Sequence, residues 1–325
     1  MTVFAAPPAD QPQLVAPLEA HRLEALALWL APACPEAREG LEIRQFQGGM
    51  SNPTYPRTVP SGARWVLRKK PPGRLLPKAH AVDREHRVMQ ALAATPVPVP
   101  GMIGRCDDPS VIGAEFFVME HVEGRVVPSP AMELIPRSER RATAGALIET
   151  LAALHAVDPA AAGLADFGRA EGYLGRQTAR WSSQYDASKE ALPADFDYSQ
   201  MDWLRDWLLE RAPGTPDETA IVHGDYRLGN VILHPSGPRI AAVLDWEHAT
   251  LGHPLADLAY LCRSWRMPPD QPSRVVPERD GLPTRATSPA PRPDPRARRR
   301  ERLGPGEASP FSRPAPFRLS RGSQR

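Results

Sequence analysis

The sequence predicts an α+β chain of two lobes, a small antiparallel sheet followed by a mainly helical lobe. Three observations carry that expectation. Short β-rich runs separated by Gly and Pro turns fill the stretch up to about residue 122. Helix-periodic segments take over beyond it. Two short apolar runs inside the helical half each end in polar residues at a turn, an arrangement that holds side chains at strand ends.

Taken in order, Leu14, Leu18, Leu26 and Leu30 fall near helical spacing and predict an N-terminal helix ending before Pro35, packed as a lid. LEIRQFQGGMSNPTY reads as strand, glycine turn and strand, and ARWVLRKKPPG as a third strand stopped by Pro71 and Pro72. AVDREHRVMQALAA predicts a helix, VPVPGMIGRC a turn-rich return, and AEFFVMEHVEG a strand running into a connector. SERRATAGALIETLAALHAV, YLGRQTARWSSQY and MDWLRDWLLERA predict three amphipathic helices. The expected organisation is an N-terminal extension over 1–40, a nucleotide-binding lobe over 41–122, a catalytic lobe over 123–267 and a tail over 268–325.

Composition narrows the function classes. No run approaches the roughly 18 apolar residues of a spanning helix, and the first residues lack a basic segment followed by an apolar one, so a cytoplasmic protein without a membrane partner is expected. Cys34, Cys106 and Cys262 stand far apart without metal-ligand spacing and are expected as reduced thiols. Net charge is +2, yet Pro268 to Arg325 holds thirteen arginines, no lysine and six acidic residues, leaving the rest mildly acidic. That tail also holds thirteen of the 39 prolines and shows no periodicity, so it is expected to be disordered.

Phosphoryl transfer needs a carboxylate to take a hydroxyl proton, oxygen ligands for Mg²⁺ and donors for phosphates. In His223-Gly224-Asp225-Tyr226-Arg227-Leu228-Gly229-Asn230 an Asp precedes an Asn by five residues, directly after the apolar Ile221 and Val222. Asp245 follows at the end of a second apolar run. An isolated HGD is a turn whose Asp bonds nearby amides; the ordered set is what points to chemistry.

HGDYRLGN, then LDWE, then GHPLADLAY resembles the aminoglycoside-phosphotransferase-like (APH/choline kinase-type) branch of the protein-kinase fold, over about Leu41 to Met267. FQGGMSNPTY, WVLRKKPPGRLLPKAHAVDREHRV and FVMEHVEGR most resemble the kinase-like domain related to acyl-CoA dehydrogenase fusion proteins. The resemblance implies a bilobal ATP-dependent small-molecule kinase, GTP being left open as donor, with Mg²⁺ as cofactor and a hydroxyl acceptor such as a hydroxy acid or hydroxyacyl-CoA. It implies Asp225 as catalytic base or hydroxyl-orienting group, and Asn230 and Asp245 as metal ligands. Gly48, Gly49, Ser51 and Asn52 would form the phosphate-covering hairpin, and Arg68 would hold the α- and β-phosphates with Glu85 as its ion-pair partner. Glu120, His121 and Val122 would offer backbone groups to adenine, while His223 and Asp257 would brace the catalytic loop.

Other residues have plainer expected roles: His155 as a buried helix histidine, and Arg180, Trp181 and Tyr185 as packing residues on a helix of the acceptor side. Pro56 and Arg57 depart from the aliphatic pair of the second strand and suggest a loosened hairpin. After Met267 the family pattern gives way to the Pro- and Arg-rich tail, for which an out-of-frame reading is the leading explanation. A basic segment binding nucleic acid or an acidic partner is the alternative. A catalytically impaired nucleotide-binding remnant and an interaction protein therefore stand beside the active kinase.

Overall fold

Alternation along β3 (Arg64–Lys69) divides the first lobe into two cores. Successive side chains of a strand face opposite ways, so Val66 joins one buried cluster while Trp65 and Leu67 join another. β5 (Phe116–Glu120) repeats the division, with Phe117 and Met119 on the first face and Phe116 and Val118 on the second. Arg68 shares the parity of Val66, and Lys69 that of Leu67; the Lys69 ammonium accordingly donates to the Ile112 carbonyl at 3.1 Å, away from Arg68.

These two strands are central in a five-stranded antiparallel sheet of order β1-β2-β3-β5-β4, whose others are β1 (Glu42–Ile43), β2 (Thr54–Thr58) and β4 (Met102–Cys106). The computed structural model describes residues 20–39, 41–43, 54–58, 64–70, 82–127, 132–169, 171–190, 197–212 and 218–266. They all belong to the first of two units, Met1–Leu282 and Pro283–Arg325. The expected turn-rich return before Cys106 is a strand, β4, paired with β5 through a register shift between Met102 and Gly104. Pro56 lies opposite Val66 in an intact β2, and β1 reaches only Arg57 and Thr58 on the other side.

The first helix, α1 (Ala20–Leu30), corrects the expectation of a lid. Leu26 and Leu30 are fully buried against Trp65, Leu67, Phe116 and Val118, and Trp29 meets Phe116 edge-on at 4.9 Å. Burial at that level stabilises by roughly 1.5–3 kcal/mol per leucine, which makes the helix part of the lobe's core. Leu14 and Leu18 lie outside the described residues.

Across the other face lies α2 (Val82–Leu92), whose buried stripe runs Val82, Glu85, Val88, Met89 and Leu92. A carboxylate on an apolar stripe requires a partner, and that requirement brings Glu85 to Arg68. Neighbouring arginines fasten α2 to the second lobe. Arg84 donates to the carbonyls of Phe167 at 2.6 Å and Ala249 at 3.3 Å and stacks over the Phe167 ring at 4.2 Å. Arg87 donates to the Gly163 carbonyl at 2.9 Å and pairs with Asp166.

After the short α3 (Pro109–Ile112) and β6 (Arg125–Val126), the second lobe is built on α4 (Arg137–His155), which buries Thr143, Leu147, Leu151 and Leu154. α5 (Tyr173–Glu190) and α6 (Ser199–Arg211) follow as an outer pair, linked by Tyr185 and Lys189 to Asp202. Trp181 is 61% exposed with Arg180 beside its ring, a surface position. Four short strands then carry the site: β7 (Ala220–Val222), β8 (Val231–Leu233), β9 (Ile240–Val243) and β10 (Thr250–Gly252). β6, β8 and β9 form one antiparallel sheet, β7 and β10 another, and α7 (Leu255–Arg266) closes the described chain. No helix among the described residues is long and apolar enough to cross a membrane.

Candidate active site

Fully buried Ile221 and Val222 anchor β7, so the chain leaving it at His223-Gly224-Asp225 starts from a fixed point. Asp257, 1% exposed on α7, accepts from the backbone N–H of His223 at 2.7 Å and of Gly224 at 2.8 Å. His223 Nε2 lies 2.9 Å from the Leu244 carbonyl, while its Nδ1 faces the Asp225 N–H at 3.2 Å. A carbonyl can only accept and an amide can only donate, which assigns the ring proton to Nε2. Burial lowers the imidazole pKa against the pull of Asp257, which favours the neutral ring, tilted on Trp246 at 4.6 Å. His155, expected as a buried helix histidine, is 15% exposed at its side chain and sits 3.2 Å from Asp257.

Gly224 has φ of 84°, and a Cβ there would lie 2.7 Å from the His248 carbonyl oxygen. Gly224→Ala combines left-handed strain with a backbone clash, each costing roughly 1–3 kcal/mol. We expect its melting temperature to fall by roughly 4–8 °C or more in a thermal scan. An unchanged melting point would mean that the loop relaxes freely.

The Asp225 carboxylate is held at Oδ2 by Asn230 Nδ2 at 2.8 Å and Arg227 Nε at 3.0 Å. Partial burial raises its pKa, but the neighbouring Tyr260, Arg227 and Asn230 side chains outweigh this and hold it below the usual carboxylate range. Asn230 Nδ2 also reaches the Asp225 carbonyl at 2.9 Å, and the Asn230 carbonyl accepts from the Leu244 N–H at 2.8 Å. That last bond stitches the end of the 223–230 loop to the residue before Asp245, so both candidate metal ligands sit at one end of the β8–β9 ladder.

Asp245 is the sole non-glycine residue with positive φ among the described residues, at φ 68° and ψ 54°. Its Oδ1 lies 2.5 Å from Arg68 Nη2, while Arg68 Nε lies 2.6 Å from Glu85 Oε2. Glu247 Oε2 stands 4.0 Å from the same guanidinium. Burial works against the Arg68 charge, but Glu85 and Asp245 outweigh it and keep the side chain protonated. Burial also raises the Glu85 carboxyl to about 7, with Arg68 drawing it back down.

The connector residues are only partly available. The N–H groups of Glu120 and His121 are taken by the carbonyls of Gly101 at 2.8 Å and Arg64 at 3.2 Å, which restricts the expected donor role toward adenine to Val122. Gly48, Gly49, Ser51 and Asn52 lie outside the described residues. A separate cavity of about 400 Å³ is lined by Asp158, Arg169 and Leu251 among others, and by none of the candidate residues.

Two contributors escaped the sequence reading. Arg227 lies two residues after Asp225 inside the quoted motif, and Glu247 two after Asp245.

The chain resembles known proteins in sequence and in fold. A sequence profile described as the phosphotransferase enzyme family (APH) matches residues 42–298, continuing past Met267, where the family pattern was expected to end. Acyl-CoA dehydrogenase family member 11 of Gallus gallus is 46% identical over 238 residues, covering 73% of this chain and 30% of that protein. The Homo sapiens protein of that name is 44% identical over 226 residues, covering 69% of this chain and 28% of its own length. The chain thus spans about 30% of the length of these curated relatives. Among solved structures, a candidate aminoglycoside phosphotransferase from Ralstonia eutropha jmp134 superposes with a TM-score of 0.66 at 40% identity, covering 80% of this chain and 74% of that one. A thermostable mutant of aminoglycoside phosphotransferase APH(4)-Ia, in ternary complex with ADP and hygromycin B, shares the fold at 17% identity and a TM-score of 0.55, covering 74% of this chain and 77% of that one. The chain belongs to the phosphotransferase enzyme family and has its two-lobed α+β kinase-like fold.

Proposed function

We propose that the chain transfers the γ-phosphoryl group of ATP to the hydroxyl of a small molecule. The observation that carries this reading is the convergence on Asn230, whose side chain holds the Asp225 carboxylate and whose backbone is bonded to the residue preceding Asp245. Asp225 orients the acceptor hydroxyl and takes its proton as the oxygen attacks phosphorus; the bond from phosphorus to the bridging oxygen breaks, and ADP leaves. The plane of the Asp225 carboxylate is set beforehand by Asn230 and Arg227. Arg68, turned toward the cleft by Glu85, supplies donors to the phosphates of the nucleotide.

The donor set suits Mg²⁺. Asn230 uses its amide nitrogen toward Asp225, which leaves Oδ1 as a hard oxygen ligand, and Asp245 supplies carboxylate oxygen. Bound there, Mg²⁺ would neutralise charge on the phosphates. A hydroxy acid or hydroxyacyl-CoA is the acceptor class we propose to try first, the curated relatives being named acyl-CoA dehydrogenase family members. ADP release from Mg-ATP, measured with and without such hydroxyl compounds, tests the reading; no acceptor-dependent release across the series would overturn it.

Arg68→Met should weaken ATP by on the order of 10- to 100-fold, the loss expected for charge-assisted bonds, while adenosine affinity changes little. Glu85→Gln should weaken ATP less, because the guanidinium remains. Calorimetric titration of both ligands decides the matter: equal weakening of nucleoside and nucleotide would show that Arg68 serves the fold alone.

A further inference from the structure

Arg68 makes a contact that holding phosphates does not require. Its Nη2 stands 2.5 Å from Asp245 Oδ1, while its Nε stands 2.6 Å from Glu85 Oε2. One guanidinium therefore ties a carboxylate buried on α2 to the carboxylate that is the candidate metal ligand, two segments 177 residues apart in the chain. Glu247 Oε2, 4.0 Å from Nη2, adds a third negative group around it.

Three carboxylates converging on one place are the surroundings of a cation, and in the free protein that cation is a side chain. A divalent ion taking an oxygen of Asp245 would stand within a few ångströms of Nη2. Like charges that close repel, and strongly so where little water intervenes; the Arg68 side chain is only 11% exposed. A triphosphate changes the balance. Its oxygens offer the guanidinium charge-assisted partners of their own and place negative charge between the two cations.

We propose that Arg68 gates the metal site: without nucleotide its guanidinium holds Asp245 and keeps divalent cations off it, and the phosphates open the site by drawing the guanidinium to themselves. The gate rests on the reading of Asp245 as a metal ligand. It goes beyond phosphate binding in giving Arg68 a task before any nucleotide arrives. Glu85 anchors Nε, so only the Nη end has to change partner. Metal and nucleotide then bind cooperatively, each strengthening the other by the same factor.

The test uses Mn²⁺ as the probe on the full chain, its free fraction read by electron paramagnetic resonance with and without ADP against protein-free controls holding the same ADP. The parent chain should bind Mn²⁺ weakly alone and at least roughly tenfold more tightly with ADP bound. Arg68→Met combined with Glu85→Gln removes the guanidinium without leaving a buried carboxylate unpaired, and it should tighten Mn²⁺ binding in the absence of nucleotide by roughly tenfold. Arg68→Gln, a second neutral variant, should do the same, with thermal scans confirming that each is folded. Adding Asp245→Asn to either should remove the gain. Neutral variants that bind Mn²⁺ no more tightly than the parent, a gain that survives Asp245→Asn, or a parent whose Mn²⁺ affinity is indifferent to ADP would each overturn the gate. Should Asp245→Asn alone leave ADP-assisted Mn²⁺ binding intact, Asp245 is no metal ligand, and that reading falls together with the gate.

Discussion

Asp225→Asn should lower turnover by on the order of 10²–10⁴ while nucleotide affinity stays within a few-fold, the range for removing a positioned base. The substitution is nearly isosteric, and the backbone around it is held by Asp257 through the N–H groups of His223 and Gly224, so the loop should keep its path. What disappears is the charge that accepts the hydroxyl proton. Steady-state ADP release, read beside ATP titration and a thermal scan, separates this from unfolding. Turnover within twofold of the parent would remove Asp225 from the reaction.

The second large effect belongs to Asp245. Asp245→Ala should abolish the gain in ATP affinity that Mg²⁺ provides, since the triphosphate loses its bridge to the protein. The left-handed backbone at φ 68° makes the choice of variant informative. Alanine tolerates that conformation poorly, whereas asparagine adopts it readily, so Asp245→Asn separates lost charge from lost backbone geometry. We expect both to lose Mg²⁺-dependent binding and the alanine variant alone to melt markedly lower. Titrations in Mg²⁺ and in chelator provide the measurement; equal ATP affinity in both for the parent chain would exclude the metal role.

Much of this was legible because local patterns carried it. Period-two runs marked β3 and β5, helical spacing marked α2 and α4, and the sequence order of Arg68, Glu85, Asp225, Asn230 and Asp245 singled out residues whose side chains the structure links by Arg68–Glu85, Arg68–Asp245 and Asn230–Asp225 contacts. What escaped depends on contacts between distant segments. The leucines of α1 announce a helix but do not say that Trp65 and Phe116 are waiting to cover them. Glu120 and His121 read as a free connector, and only the pairing with Gly101 and Arg64 shows their N–H groups committed. The phosphate-covering hairpin and the segment after Arg266 lie outside the described residues, so the expectations for them stand as expectations.

The arginines of α2 have a bearing on how such a protein is controlled. Displacing this helix, and Glu85 with it, means parting Arg84 from the Phe167 ring and from two carbonyls, and Arg87 from Gly163 and Asp166. Those contacts lie along one helix, so any displacement of Glu85 from Arg68 by movement of α2 must part several of them together.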